Sequence, residues 1–232
     1  MFQKDERMVV LFTLNEKGIL SALVVGVLIF FLGQSYGLFF VADAGAFLVL
    51  SAIVTSAGKV KKVGIGMYEH TRGWKNVLSN GLIPLVISAL YFFNSYNQVL
   101  PPAYVAVVYV ASIAAITADK FASEIGVLDG EPRMLVTMKR VKKGCSGGVT
   151  ALGTFSSLFS AFVIGLSALF LGWSLGVVAI LTVSGFLGGI VDSILGYWEE
   201  KGIGNKYTSN FFCAVAGSII CALLLSYFHV GI

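Results

Sequence analysis

The sequence predicts an all-α, polytopic integral membrane protein with about seven transmembrane helices, and three observations predict it. The 232 residues are 57% hydrophobic and only 12% charged, with a mean hydropathy of +0.88, too apolar for a water-soluble domain of this length. Hydrophobic runs long enough to cross a bilayer recur between charged or Gly/Asn-rich breaks. Of the sixteen Lys and Arg residues, all but Lys120 fall on one side of the topology that those runs define.

Taken in order, the spans run near 17–34, 36–58, 76–95, 101–126, 148–171, 174–198 and 208–230. The first follows Lys17 as the core of a signal peptide would, but a second hydrophobic span follows at once, so it reads as a retained anchor. Residues 1–232 are then expected to form a single transmembrane domain, with loops near 59–75, 127–147 and 199–207.

Those loops carry the cations. Lys4, Arg7 and Lys17 precede the first span; Lys59, Lys61, Lys62, Arg72 and Lys75 follow the second; Arg133 to Lys143 follow the fourth; Lys201 and Lys206 follow the sixth. The connections near 34–36, 94–101 and 172–173 carry none. The positive-inside rule therefore puts the N-terminus and the basic loops in the cytoplasm, with the C-terminus outside a cell membrane. A net charge of +4 spread over interhelical loops follows from topology, and nucleic acid is not an expected partner. Cys145, Cys213 and Cys221 form neither a disulfide framework nor a CxxC pair.

Acids inside such a chain are expensive and mark either a working site or an internal bridge. Asp43 falls near the middle of the second span, where a bond to a neighbouring Ser or Asn would account for it. In Ala118-Asp119-Lys120-Phe121-Ala122-Ser123-Glu124-Ile125-Gly126, helical spacing puts Asp119, Ala122, Ser123 and Gly126 on one small-residue stripe. Lys120 and Glu124 form an i,i+4 pair on an adjacent face. The bland reading is a salt bridge at a helix contact; the sharper one is a carboxylate that a ligand can approach. Gly185, Gly189, Asp192 and Gly196 repeat the arrangement near the end of the sixth span, with Ser193 beside the acid.

Between the fourth and fifth spans, Lys139, Arg140, Lys142 and Lys143 lead into Gly144-Cys145-Ser146-Gly147-Gly148-Val149-Thr150. Glycines let backbone N–H groups approach an anion and a helix start adds its dipole, so the loop suits a triphosphate; it also suits an ordinary topology-setting turn. It is not a Walker A loop, because no Lys-Ser/Thr follows the last glycine. Two Asn-rich helix starts complete the inventory. Asn76 and Ser209 suit caps, whereas Asn80 and Asn210 lie deeper and need partners; Asn205 stands beside Lys206.

Segments 72–81, 118–126, 143–154, 188–196 and 205–211, in this order and spacing, together resemble the DUF92, or transmembrane protein 19, family of integral membrane proteins. That family includes the plastid phytyl-phosphate kinase of tocopherol synthesis, and is distantly similar to dolichol kinases and phosphatidate cytidylyltransferases. The resemblance implies transfer of the γ-phosphate of a nucleoside triphosphate, CTP foremost, to a prenyl phosphate or prenol, with Mg²⁺ as cofactor. On this reading Asp119, Glu124 and Asp192 hold the metal, and Lys120 neutralises the transferred group. Lys139, Lys142, Lys143 and the backbone of Gly144, Ser146, Gly147 and Gly148 hold the triphosphate. Arg72, Asn76, Asn80, Ser123, Thr150, Ser193, Asn205 and Asn210 supply further polar contacts. The chain departs from the family at Lys120, where Thr is usual, at Cys145-Ser146 in place of Thr-Asn, and at Glu200 in place of Gln. These departures bear on the choice of nucleotide and acceptor. Assembly as a homo-oligomer stays open, and the competing class is a small ion- or proton-coupled transporter using Asp43, Asp119, Glu124 and Asp192.

The cation bias makes a topological prediction. Single cysteines placed in 59–75 and 131–146 react with an impermeant thiol reagent only from the cytoplasmic side, and those in 96–100 only from outside. Labelling of 131–146 from outside would put the proposed site beyond the reach of cytosolic nucleotide.

Overall fold

The computed structural model describes residues 13–68, 71–228 and 230; Lys4 and Arg7 lie outside the described residues. Among the described residues eight α-helices follow one another: α1 (Glu16–Gly33), α2 (Gly37–Ser56), α3 (Lys59–Gly64), α4 (Trp74–Asn97), α5 (Pro102–Gly126), α6 (Ala151–Gly165), α7 (Leu175–Glu199) and α8 (Lys206–Phe228). All but the six-residue α3 are membrane-length, α6 being prolonged by a 3₁₀ turn, Leu166–Leu171. The continuous apolar stretch Glu16–Ser56, of 41 residues, is broken into two by the turn at Gln34–Tyr36. Glycine makes that turn sharp, since a Cβ on Gly37 would stand 2.1 Å from the Phe30 carbonyl and one on Gly33 would stand 2.9 Å from the Phe40 ring. The seven spans expected from hydrophobicity are thus all present.

Each helix begins where local chemistry lets it. Asn15 caps α1 by accepting from the Gly18 amide at 2.9 Å, and Thr150 caps α6 by accepting from the Gly153 amide at 3.1 Å. Pro101 and Pro102 start α5, where a missing N–H costs nothing. Pro84 lies inside α4 and leaves the carbonyl of Asn80 without its usual helical donor. Two cap expectations are corrected. Gly73 precedes α4, placing Asn76 within its first turn, and Asn205 caps α8, its Oδ1 accepting from the amides of Tyr207 (2.9 Å) and Thr208 (3.3 Å). Ser209 instead donates to the Glu199 carboxylate. The sequence also gave no sign that 148–149 would be a strand: Gly148–Val149 pairs antiparallel with Arg133–Met134, folding the basic loop back on itself.

At the centre stands α5, packed against α2, α4, α6, α7 and α8. Its residues Ala106, Val107, Tyr109, Val110, Ala111, Ala114, Ala115 and Ala118 are wholly buried, and all but Tyr109 are small enough for close helix approach. Neighbouring helices meet them with glycine. A Cβ on Gly185 would stand 2.7 Å from the Ala114 Cβ, and those on Gly188 and Gly217 would stand 2.7 and 2.6 Å from the Ala115 Cβ. Without a hydrophobic drive between helices in lipid, such close backbone approach is how membrane helices gain contact. Leu20, Phe31, Leu38, Leu90, Phe155, Phe170 and Leu223, by contrast, are exposed on the outer surface, as residues facing hydrocarbon should be.

One end of α5 is tied by charge. Glu124 accepts from Lys62 Nζ at 2.7 Å, from Arg72 at 2.8 Å and from Lys120, and Thr55 donates to it at 3.1 Å. Lys62 is 0% exposed and also donates to the carbonyls of Val54 (2.9 Å) and Thr55 (3.1 Å), so it closes the C-terminus of α2. Arg72 is anchored in turn by its backbone, its amide bonding the Thr13 carbonyl and its carbonyl receiving the Asn15 amide.

A buried cation stripped of its counter-charge is costly, on the order of 3 to 5 kcal/mol. Glu124→Gln therefore lowers the thermal unfolding temperature in detergent more than Lys62→Met, which leaves Glu124 paired with Arg72 and Lys120. Wild-type thermal stability in Glu124→Gln would show that this cluster does not hold the fold.

Candidate functional site

A cavity of about 240 Å³ lies where α5, α6, α7 and the first turns of α8 meet the 143–150 loop, at the basic end of the bundle. Its construction begins with two glycine contacts. Gly153 crosses α5 so closely that a Cβ there would stand 2.9 Å from the Ala122 carbonyl and 3.1 Å from Gly126 Cα, which brings the start of α6 beside the Asp119 face. On the opposite wall, Gly147 (φ +75°) rests on α7; a Cβ there would stand 2.5 Å from the Ser193 carbonyl, and one on Gly196 would stand 2.3 Å from the Gly147 amide nitrogen. The glycines of the basic loop thus seat it backbone to backbone on the helix that carries Asp192.

Asp119 of α5 and Asp192 of α7 face each other at the cavity wall, close enough for direct carboxyl–carboxyl interaction. They meet because Gly185 and Gly188 let α7 lie against Ala114 and Ala115 of α5, and at Gly189, one turn before Asp192, a Cβ would be 3.4 Å from the Asp119 amide nitrogen. One Asp192 oxygen, Oδ1, is buried without a hydrogen-bond partner among the described residues. Glu199 and Lys206 also line the cavity and lie within electrostatic range of both acids. Two like-charged carboxyls so placed are relieved by a shared proton or by a cation between them.

Around this pair the structure gathers Ser123, Lys143, Gly144, Ser146, Gly147, Gly148, Thr150, Ser193 and Asn210, each of them expected from the sequence. Lys143 Nζ donates to the carbonyls of Val127 (3.1 Å) and Asp129, so its charge is held at the rim. Asn210 bonds Asn80 across the helices at 3.3 Å. The helix start at α6 is already partly used, because Asp129 Oδ2 accepts from the Leu152 amide at 3.2 Å. That bond, after one to the Gly130 amide, and the nearby Lys143 and Lys61 hold the Asp129 carboxyl below the usual carboxylate range. Burial, together with Glu200, pushes the Cys145 thiol up.

Several expected residues lie elsewhere. Glu124 points about 140° away from Asp119 around α5 and is taken up by Lys62, Arg72 and Lys120, so the expected three-acid metal set separates into a facing pair and a structural acid. Lys120, expected beside the transferred group, is Glu124's partner. Lys139 and Lys142 are exposed and do not line the cavity, and Asn205 is occupied as a cap. Arg72, Asn76 and Asn80 line a different, apolar cavity between α1, α2 and α4. Asp43 is 3% exposed and faces Ser167, yet neither carboxylate oxygen has a hydrogen-bond partner among the described residues, contrary to the bonded acid expected. Among the described residues no three His, Cys, Asp or Glu converge as a metal cluster.

Glu199, Lys206, Thr154 and Ser157 line the cavity without having been singled out in the sequence. For two of them a signal existed: Glu199 stands seven residues after Asp192, on the same face two turns later, and Lys206 stands four before Asn210. Lys206 is absorbed into the reading of topology-setting charge, and Glu199 is passed over.

Comparison with known proteins places this architecture in a family. The chain is 35% identical over 214 residues to an uncharacterized membrane protein of Methanocaldococcus jannaschii, covering 91% of this chain and 85% of that protein. It is 30% identical over 201 residues to Protein PGR of Arabidopsis thaliana, covering 76% of this chain and 70% of the relative. An uncharacterized membrane protein of Synechocystis is 27% identical over 160 residues, the match spanning 59% of its length. No solved structure matches. The model of the family described as integral membrane protein DUF92 matches residues 7–212, and the chain belongs to that family.

Proposed function

We propose that the protein is a membrane phosphotransferase that moves the γ-phosphate of a nucleoside triphosphate, CTP foremost, to a prenyl phosphate or prenol at the cytoplasmic face. The observation that carries this reading is the Asp119–Asp192 pair facing a cavity that Lys143, Lys206 and the 144–148 backbone also line. Phosphoryl transfer asks mainly for positioning and charge neutralisation, and acids that hold a divalent cation beside amides and cations are the parts it uses. The motifs that resemble CTP-dependent prenyl kinases, including the acids and the glycine loop, fall largely on this cavity.

The residues fit Mg²⁺. Two facing carboxyls, one with an unpartnered buried oxygen, suit a cation that is commonly bound by one or two carboxylates and completes its shell with water and substrate phosphate. When bound, it would neutralise charge on the β- and γ-phosphates. Asp119 and Asp192 would hold it, and Lys143 and Lys206 would counter the remaining phosphate charge. The amides of Cys145, Ser146 and Gly148 are already taken by the Lys142 carbonyl, Glu200 Oε1 and the Cys145 carbonyl, so the loop would shape the wall beside the triphosphate and leave its charge to the lysines, with Ser193 and Ser123 as polar neighbours. An oxygen of the acceptor phosphate attacks the γ-phosphorus, the bond from that phosphorus to the β–γ bridging oxygen breaks, and the nucleoside diphosphate leaves. A monophosphate acceptor needs no base; a prenol acceptor would give its proton to Asp119.

The transporter reading has one observation in its favour, the buried and unpartnered carboxyl of Asp43. Asp43 lies against Tyr109, ten residues or about 15 Å along α5 from Asp119, and Val110, Ala111, Ile113 and Ala114 between them are fully packed. Such a plug suits a structural layer better than a conducting path.

The test is transfer of label from γ-labelled CTP or ATP to prenols and prenyl phosphates by the purified protein with Mg²⁺. Asp119→Asn and Asp192→Asn reduce turnover by at least about a hundredfold while the protein remains folded in detergent, whereas Asp43→Asn retains it. Near-normal turnover in either cavity mutant removes that acid from the site. Ion flux in liposomes that depends on Asp43, with no transfer in the wild type, supports the transporter instead.

A further inference from the structure

The apolar cavity between α1, α2 and α4 is a groove of about 420 Å³. Val25, Phe30, Phe31, Val41, Phe47 and Leu48 line its length, which covers about 15 Å of α2 between Val41 and Ser51. Two of its wall residues, Gly26 and Gly45, behave unlike the glycines of α7 and α8. A Cβ on either would meet nothing within 4 Å, so neither glycine serves close helix packing. Glycine inside a helix is destabilising relative to alanine, and at these two positions what it provides is empty space in the groove.

The groove changes character at its basic end. There it is lined by Arg72, Asn76 and Asn80, and Arg72 is only 6% exposed and Asn80 7%. Arg72 is already paired with Glu124, but Lys62 and Lys120 share that one carboxylate, so a surplus of positive charge stands beside two amides at the head of an apolar channel, which matches the chemistry of a lipid that carries an anionic phosphate. The groove also adjoins the acid-pair cavity. Asn80 belongs to the groove wall and Asn210 to the cavity wall, and the two side chains are hydrogen-bonded at 3.3 Å. A phosphate at the groove's head would thus lie one amide pair from the nucleotide cavity, and transfer requires that pair to part.

We infer that this groove seats the acceptor: the apolar tail of a prenyl monophosphate lies along Gly26 and Gly45, with its phosphate at Arg72, Asn76 and Asn80, an assignment that rests on the phosphotransferase reading. It gives a site to three residues that the nucleotide cavity leaves out. It also makes the depth of the groove, rather than the nucleotide cavity, the determinant of acceptor chain length. Filling the groove at Gly45 shortens the space for the tail without touching the acid pair or the basic loop.

The experiment is photolabelling of the purified protein in nanodiscs by a geranylgeranyl monophosphate that bears a diazirine near its tail end, with adducts mapped by mass spectrometry. Adducts are expected in 25–31 and 41–48, competed by unlabelled geranylgeranyl monophosphate and not by phosphatidate. Gly45→Leu is expected to lower this labelling and raise KM for the acceptor by at least about tenfold, the equivalent of roughly two buried methylenes, with KM for nucleotide unchanged. Competed adducts on α6 or α7 instead, competition by phosphatidate alone, or labelling unchanged in a folded Gly45→Leu protein would overturn the assignment. The wild-type map decides the matter even if the variant does not fold. Groove labelling without phosphoryl transfer from any nucleotide upholds the groove as a prenyl phosphate site and sinks the kinase reading; transfer without groove labelling does the reverse.

Discussion

Burying Lys62 completely would be prohibitive without a counter-charge, and Glu124 supplies it. Because the same carboxylate also receives Arg72 and Lys120 and a hydroxyl from Thr55, one acid at the end of α5 ties together the end of α2, the α3 turn and the approach to α4. The central helix is thereby oriented about its own axis. Once Glu124 faces this cluster, Asp119, about 140° round the helix, faces the other way, toward α6 and α7. Two acids five residues apart do different work, one holding structure and one lining a cavity.

What brings Asp192 to meet Asp119 is the removal of side chains. Gly185, Gly188 and Gly189 let α7 lie against the alanines of α5, and Gly196 with Gly147 lets the basic loop lie against α7. Apart from Gly189, each contact leaves less space than a methyl group needs, so the backbones approach more closely than larger interlocking side chains would allow. The cavity is the space that remains at the basic end, beside the loop that the strand pair Arg133–Met134 with Gly148–Val149 folds back on itself. Gly26 and Gly45 show the opposite use of the same residue, leaving room rather than closing it.

The membrane helices were legible because length and apolarity decide a span almost alone, and their observed ends lie within a few residues of those expected. Most of the cavity was legible too, since Asp119 and Asp192 each sit on a small-residue stripe that only close packing explains. The role of Glu124 was not. Its local pairing with Lys120 was visible at i,i+4, but Lys62 and Arg72 reach it from 62 and 52 residues away, and no spacing rule reports such contacts. Lys139, Lys142 and Lys143 were indistinguishable in sequence, and only the fold of the strand pair turns Lys143 inward. Lys206 was overlooked because a cation at a helix end has an adequate explanation in topology, an explanation that the acid Glu199 does not share.

The account turns on the claim that Asp119 and Asp192 together hold a divalent cation at the wall of the nucleotide cavity. Electron paramagnetic resonance of Mn²⁺, titrated into the purified protein with and without CTP, tests it most directly. The account predicts one saturable Mn²⁺ site per chain, strengthened by the nucleotide, displaced by excess Mg²⁺ and lost in Asp119→Asn and Asp192→Asn. Saturable Mn²⁺ binding that survives both substitutions, or a wild-type protein that binds no Mn²⁺ in the presence of CTP, would contradict it.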